Sequence, residues 1–107
     1  MIGKTVNVVV DRPMGTYHPQ YKDLYYTCNY GYIPGVLAPD GEEQDAYILG
    51  VKEPVAQFTG KVLAIIKRLD DIEEKWVVVP EGVQYTKEEI GALVDFQERF
   101  FKIEIVM

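Results

Sequence analysis

Two acidic runs, Asp40-Gly41-Glu42-Glu43-Gln44-Asp45 and Asp70-Asp71-Ile72-Glu73-Glu74-Lys75, interrupt stretches that otherwise read as buried strands. Carboxylates crowded onto short turns repel one another unless positive charge stands among them. A fold for this chain must therefore put both runs at strand ends, beside cations or open to water. The second run joins Lys61-Val62-Leu63-Ala64-Ile65-Ile66-Lys67-Arg68-Leu69 to Lys75-Trp76-Val77-Val78-Val79, and so predicts a β-hairpin with acids at its tip. A single acidic turn reads as a solvated tip. Two of them, with an aromatic segment ahead of the first, point to a site, and hard divalent cations such as Mg²⁺ suit clustered carboxylates.

The rest of the chain extends the β pattern. Thr5-Val6-Asn7-Val8-Val9-Val10 reads as a strand, broken by Pro13 and Gly15. Residues 17–33 hold six of the eight tyrosines in an extended stretch. Pro34-Gly35 and Pro39-Asp40-Gly41 flank a short strand, Val36-Leu37-Ala38, and the next strand runs from Ala46 to Val51. Thr86-Lys87-Glu88-Glu89 matches a capping box, and the helix after it puts Ile90, Leu93, Val94, Phe96, Phe100 and Phe101 near one face. A mainly β chain of five or so strands ending in one helix suits a small closed barrel with a C-terminal α-helix.

At 107 residues, 48% of them hydrophobic, residues 1–107 read as a single domain with an ample core. No run of eighteen apolar residues predicts a membrane span, and the start has no signal-peptide pattern. The lone cysteine, Cys28, fits a reducing cytoplasmic setting and has no partner for a sulfur-ligated metal. A net charge of −6 argues against nucleic acid, whose phosphates need Lys and Arg. The same charge would repel an anionic substrate unless metal ions invert the local field.

Tyr26-Thr27-Cys28-Asn29-Tyr30-Gly31-Tyr32-Ile33, then Asp40-Gly41-Glu42-Glu43-Gln44-Asp45-Ala46, then Asp70 through Pro80 follow one another along the chain. In this order they resemble the motifs of the soluble type I inorganic pyrophosphatases: Tyr-Pro-x-Asn-Tyr-Gly-Tyr-Ile, Asp-Gly-Asp-x-x-Asp-aliphatic, and an acidic loop leading through x-Lys into a strand ending in Val-Pro. The resemblance runs from Val6 to Lys102 and carries departures. Glu42 and Gln44 stand where the family has Asp and an aliphatic residue, Asp70 and Glu73 match only across a gap, and Phe101-Lys102 replaces a Tyr-Lys pair. The family's basic hairpin is compressed to Tyr17 through Leu24, with His18 and Lys22 as its basic residues and no arginine assigned.

The resemblance implies an oligonucleotide-binding-like (OB-like) five-stranded barrel that hydrolyses inorganic pyrophosphate with Mg²⁺ as a cytoplasmic homo-oligomer. It names Asp40, Glu42, Asp45, Asp70 and Glu73 as metal ligands, with Asp45, Glu42 and Tyr30 acting on the reaction. Lys75, Tyr30, Lys102 and Lys22 would bind substrate, and Asp11 would stand behind the ligands. Asp71 or Glu74 could exchange roles with their neighbours in the shortened loop. His18 reads as a surface residue and Trp76 as core. Two other readings are hydrolysis of another small phosphoanhydride, and a degenerate barrel that binds phosphate metabolites or a partner protein without turnover.

Overall fold

Val6 and Val8 are buried while Thr5 and Asn7 are exposed, the alternation of a strand with one face on a core, and they begin β1 (Thr5–Arg12). The computed structural model describes residues 1–107. The chain continues through β2 (Asn29–Leu37), β3 (Glu43–Ile48), β4 (Gln57–Arg68), β5 (Glu74–Val79), the helix α1 (Lys87–Glu98) and β6 (Ile103–Val106). The order β1-β2-β3-β5-β4, with β4 returning to pair with β1, closes a five-stranded barrel. All of its pairs are antiparallel except β3–β5. β4 is long enough for one edge to serve two partners: Gln57–Lys61 meets β1 and Ile65–Arg68 meets β6.

The core has two layers. Val6, Val8, Ile33, Ala46, Ile48, Val62, Trp76 and Val78 come from all five barrel strands and fill the interior. Tyr47, Leu49, Ala64, Ile66, Val77 and Val79 face outward and pack with Cys28 against Ile90 and Val94 of α1. β3 and β5 are thus covered on both faces, which is why Trp76-Val77-Val78-Val79 reads as an unbroken apolar run. β4 changes faces at a bulge between Val62 and Ala64. Val62 and Ile65 pack with the interior, whereas Leu63, Ala64 and Ile66 pack under the helix.

The barrel, the β4–β5 hairpin and the capped helix match the expectation. Thr86 caps as read: its Oγ1 accepts from Glu89 N–H at 3.1 Å, and its own N–H donates to Glu89 Oε1 at 2.8 Å. Details differ. β3 runs Glu43–Ile48 where the sequence pattern predicts Ala46 to Val51, and β4 begins at Gln57, ahead of Lys61. Val36-Leu37 is the tail of β2, past an irregularity after Ile33, because the Pro34-Gly35 pair bends that strand without ending it. β6 had no reading of its own, since four residues that borrow an edge of β4 carry little pattern. The helix stops at Glu98 so that the chain can turn into β6; Phe100 and Phe101 therefore lie beyond it and are exposed, and Leu93 faces outward as well.

Candidate active site

Strand parity gathers the charged side chains on the barrel's outer face, just past the end of α1. Asp45 lies two residues before Tyr47 on β3, Lys75 two before Val77 on β5, and Arg68 two after Ile66 on β4. Tyr30 of β2 packs against the same outer layer. Where the helix ends, this face opens into a cleft of about 1270 Å³. Its lining brings together five basic side chains (Arg12, Lys22, Arg68, Lys75 and Arg99) and four acidic ones (Asp11, Asp23, Asp45 and Glu73). In the whole chain acids outnumber bases, 17 to 11, so this lining is where the bases of an acidic protein gather.

Lys75 Nζ lies 2.7 Å from Asp45 Oδ2 and 3.3 Å from Glu73 Oε2. Arg68 donates from Nη1 to Glu73, and from Nε and Nη2 to Glu98 Oε1 and Oε2 at 3.0 and 2.9 Å. Glu98 closes a chain of buried donors: Tyr26 OH donates to Gln97 Oε1 at 2.7 Å, Gln97 Nε2 to Tyr47 OH at 2.7 Å, and Tyr47 OH to Glu98. Phe101 stacks on Arg68, with the guanidinium carbon 3.6 Å from the ring centre.

Electrostatics follow from this packing. Burial pushes the Glu98 carboxyl up, but hydrogen bonds from Arg68 and Tyr47 outweigh it and hold the group below the usual carboxylate range. Arg68 is shifted up: burial opposes its charge, and the hydrogen bonds and charge of Glu98 overcome that. Burial and then the nearby Asp45 carboxylate push the Tyr30 hydroxyl well above its ordinary value, so it stands ready as a donor. Asp11 is raised chiefly by burial, against the pull of Arg12. Cys28 is pushed up to about 12 by burial, which leaves an inert thiol.

Of the residues named from the sequence, Tyr30, Asp45, Glu73, Lys75, Lys22 and Asp11 line the cleft, as does His18. Asp40, Glu42, Asp70 and Lys102 do not. Asp40 and Glu42 sit on the exposed turn before β3, where Asp40 Oδ1 accepts the Glu42 N–H at 3.0 Å. Asp70 is on the exposed tip of the β4–β5 hairpin. Lys102 is exposed, tied by its backbone carbonyl to Leu69 N–H at 2.8 Å. The five carboxylates named as ligands thus do not converge, and no three acidic, histidine or cysteine side chains stand where they would hold a metal ion.

Arg12, Arg68, Arg99, Tyr26 and the Gln97–Glu98 pair were not anticipated. One signal existed: Glu98 falls four residues after Val94 and eight after Ile90, in line with the apolar stripe of the helix. A carboxylate in that line needs a buried cation as partner.

The family model for inorganic pyrophosphatase matches residues 4–104. The chain belongs to the inorganic pyrophosphatase family. It is 32% identical over 79 residues to an inorganic pyrophosphatase of Haemophilus influenzae, a match covering 69% of this chain and 44% of that protein. The match thus spans less than half the length of this curated relative. Its fold resembles the inorganic pyrophosphatase of Coxiella burnetii, with a TM-score of 0.70, 20% identity and 98% of this chain aligned to 85% of that one. It also resembles that of Neisseria gonorrhoeae, with a TM-score of 0.68, 23% identity and 88% of this chain aligned to 72% of that one.

Proposed function

We propose that this chain hydrolyses inorganic pyrophosphate in the cleft beside the end of α1. The observation that carries the reading is the convergence of Tyr30, Asp45, Glu73 and Lys75, drawn from all three motifs of the family, in the lining where the bases of an acidic protein gather. Arg12, Arg68 and Lys75 hold the phosphate oxygens, with arginine suited to two oxygens at once and lysine acting as a point charge. Tyr30 donates its hydroxyl hydrogen to one of them. Asp45 is 38% exposed and holds Lys75 with one oxygen only, so its other oxygen is open to a water molecule. In this reading that water attacks phosphorus, its proton passes to Asp45, and the bridging bond breaks to leave two phosphates.

Mg²⁺ belongs to the reading that the family suggests. The residues as placed do not fit a cage for it, because Asp40, Glu42 and Asp70 are outside the cleft and Asp45 and Glu73 are engaged by Lys75 and Arg68. No step is assigned to the ion. The 107 residues act in this reading as one domain, in the cytoplasm and as a homo-oligomer; light scattering on the purified protein tests the last point. No helix is long and apolar enough to cross a membrane.

A second reading rests on cleft size. About 1270 Å³ exceeds the usual ligand pocket of roughly 300–1,000 Å³ and far exceeds a diphosphate, and the exposed Tyr21, Tyr25 and Phe100 form part of its lining. An organic phosphoanhydride with a flat group would use that lining. Phosphate release from pyrophosphate and from nucleoside polyphosphates, with Mg²⁺ and with chelator, decides between them. Release from pyrophosphate above the others supports the first reading. No release from any substrate, with saturable binding retained, leaves a binding module.

A further inference from the structure

Asp45 and Glu73, the two cleft carboxylates that belong to the family motifs, are both paired with cations of the same chain. Lys75 stands between them, 2.7 and 3.3 Å away, and Arg68 reaches Glu73 from the other side. Both cations are nearly covered, Lys75 at 6% and Arg68 at 8% exposure. A small hard dication needs near-octahedral oxygen at about 2.0–2.1 Å; here Asp45 and Glu73 each give one oxygen to the ammonium that stands between them, and a dication bridging the pair would stand beside that charge.

We propose that Arg68 and Lys75 are the resident cations of the cleft: the free protein takes up no divalent metal at Asp45 and Glu73, and a diphosphate is held by side-chain cations directly. The anion half rests on the reading of the cleft given above. Arg68 is suited to the role because its position does not depend on a ligand: Glu98, 1% exposed, grips it with both oxygens. Donor capacity remains for the anion. Lys75 has three N–H donors with two carboxylates to serve, and Arg68 has five with three in use. Three carboxylates meet two cations in this cluster, and Arg12, 3.9 Å from Asp11, adds a further guanidinium to the same lining.

The test has two arms. Manganese(II) is titrated into the protein with its paramagnetic resonance signal as readout, and pyrophosphate binding is followed by calorimetry in excess chelator. The expected results are a manganese signal that stays that of the free ion and saturable pyrophosphate binding without metal. Arg68→Lys, which keeps the charge but loses the fork, should weaken that binding by roughly tenfold. Lys75→Met strips the ammonium from between Asp45 and Glu73 and should gain manganese binding. Manganese bound by the wild type and lost in Asp45→Asn would overturn the proposal, as would pyrophosphate binding that appears only with Mg²⁺. A folded Lys75→Met that takes up no more manganese than the wild type also counts against it. Absence of pyrophosphate binding in every condition overturns the reading of the cleft as a pyrophosphate site, and the manganese arm then decides this proposal by itself.

Discussion

Arg68 donates to both carboxylate oxygens of Glu98, at 3.0 and 2.9 Å, with 8% and 1% of the two side chains exposed. The pair joins the end of β4 to the last turn of α1. It also offsets an acid at a helix C-terminus, where the macrodipole disfavours negative charge and the last turn has no basic residue.

Removing either partner leaves a buried charge without compensation. Arg68→Met and Glu98→Leu should each lower unfolding stability by about 3–5 kcal/mol. The double variant should recover part of that loss, since the uncompensated charge has gone and only Glu73, Tyr47 and Phe101 have lost a contact. Urea unfolding of the four proteins measures the cycle. Purely additive losses would mean that the two side chains act independently.

The same pair sets an acid limit. The folded Glu98 carboxyl lies below its ordinary value, burial notwithstanding, because Arg68 and Tyr47 hydrogen-bond to the charged form. A depressed carboxylate contributes stability that is fully present above the unfolded value, roughly pH 4.3, and is lost as pH falls through the folded value. Thermal unfolding between pH 7 and pH 3 should therefore show the wild type converging on Glu98→Gln at the acid end. A gap between the two proteins that stays constant across that range would remove Glu98 from the acid response.

Lys75, Lys61 and Lys67 form an internal comparison. Lys75 is covered and paired with Asp45, whereas Lys61 reaches only the exposed Glu81 at 3.7 Å and Lys67 is exposed. Lys75→Met should lower kcat/KM for pyrophosphate by roughly tenfold or more, in line with about 1.5–3 kcal/mol for a charged hydrogen bond. Lys61→Met and Lys67→Met should change it less than about twofold, as exposed charges do. Equal effects at all three positions would make Lys75 an ordinary surface charge.

Gly31, between Tyr30 and Tyr32, lies opposite Val10 where β1 pairs with β2. A Cβ there would lie 1.9 Å from the Val9 carbonyl oxygen, so the backbone itself would have to move. Gly31→Ala should cost about 1–3 kcal/mol, the usual range for overpacking. Circular dichroism melting checks it; an unchanged midpoint would mean that the two strands can part freely. Turnover should fall too, because Tyr30 and Arg12 are paired across the same two strands.

The hairpin and the capped helix were legible because their signals are local: branched runs on either side of an acidic turn, and Thr86 three residues before Glu89. Asp45 and Lys75 were legible through motif position, and strand parity placed each on the cleft side. Asp40 also matched its motif position and Glu42 stood where the family has Asp, but both sit on a turn, where two-residue periodicity no longer says which way a side chain points. The Arg68–Glu98 pair was hidden for another reason. Its partners are 30 residues apart, and their meeting depends on where α1 ends and on which face of β4 Arg68 occupies. Neither is written in the neighbouring residues.

The bulge in β4 carries a chemical consequence. Leu63 is the extra residue that puts Ala64, Ile66 and Arg68 under the helix. Were β4 to run through Leu63 without the bulge, simple alternation from Val62 would turn Lys67 toward Glu98 and put Arg68 on the opposite face, where Lys67 now stands exposed. The positive charge opposite Glu98 would persist while its two-pronged grip disappeared. Loss of this irregularity, with no residue removed, would thus exchange the cation in this cleft without any substitution at the cleft itself, so kinship between such chains is better judged by register along β4 than by the identity of aligned letters.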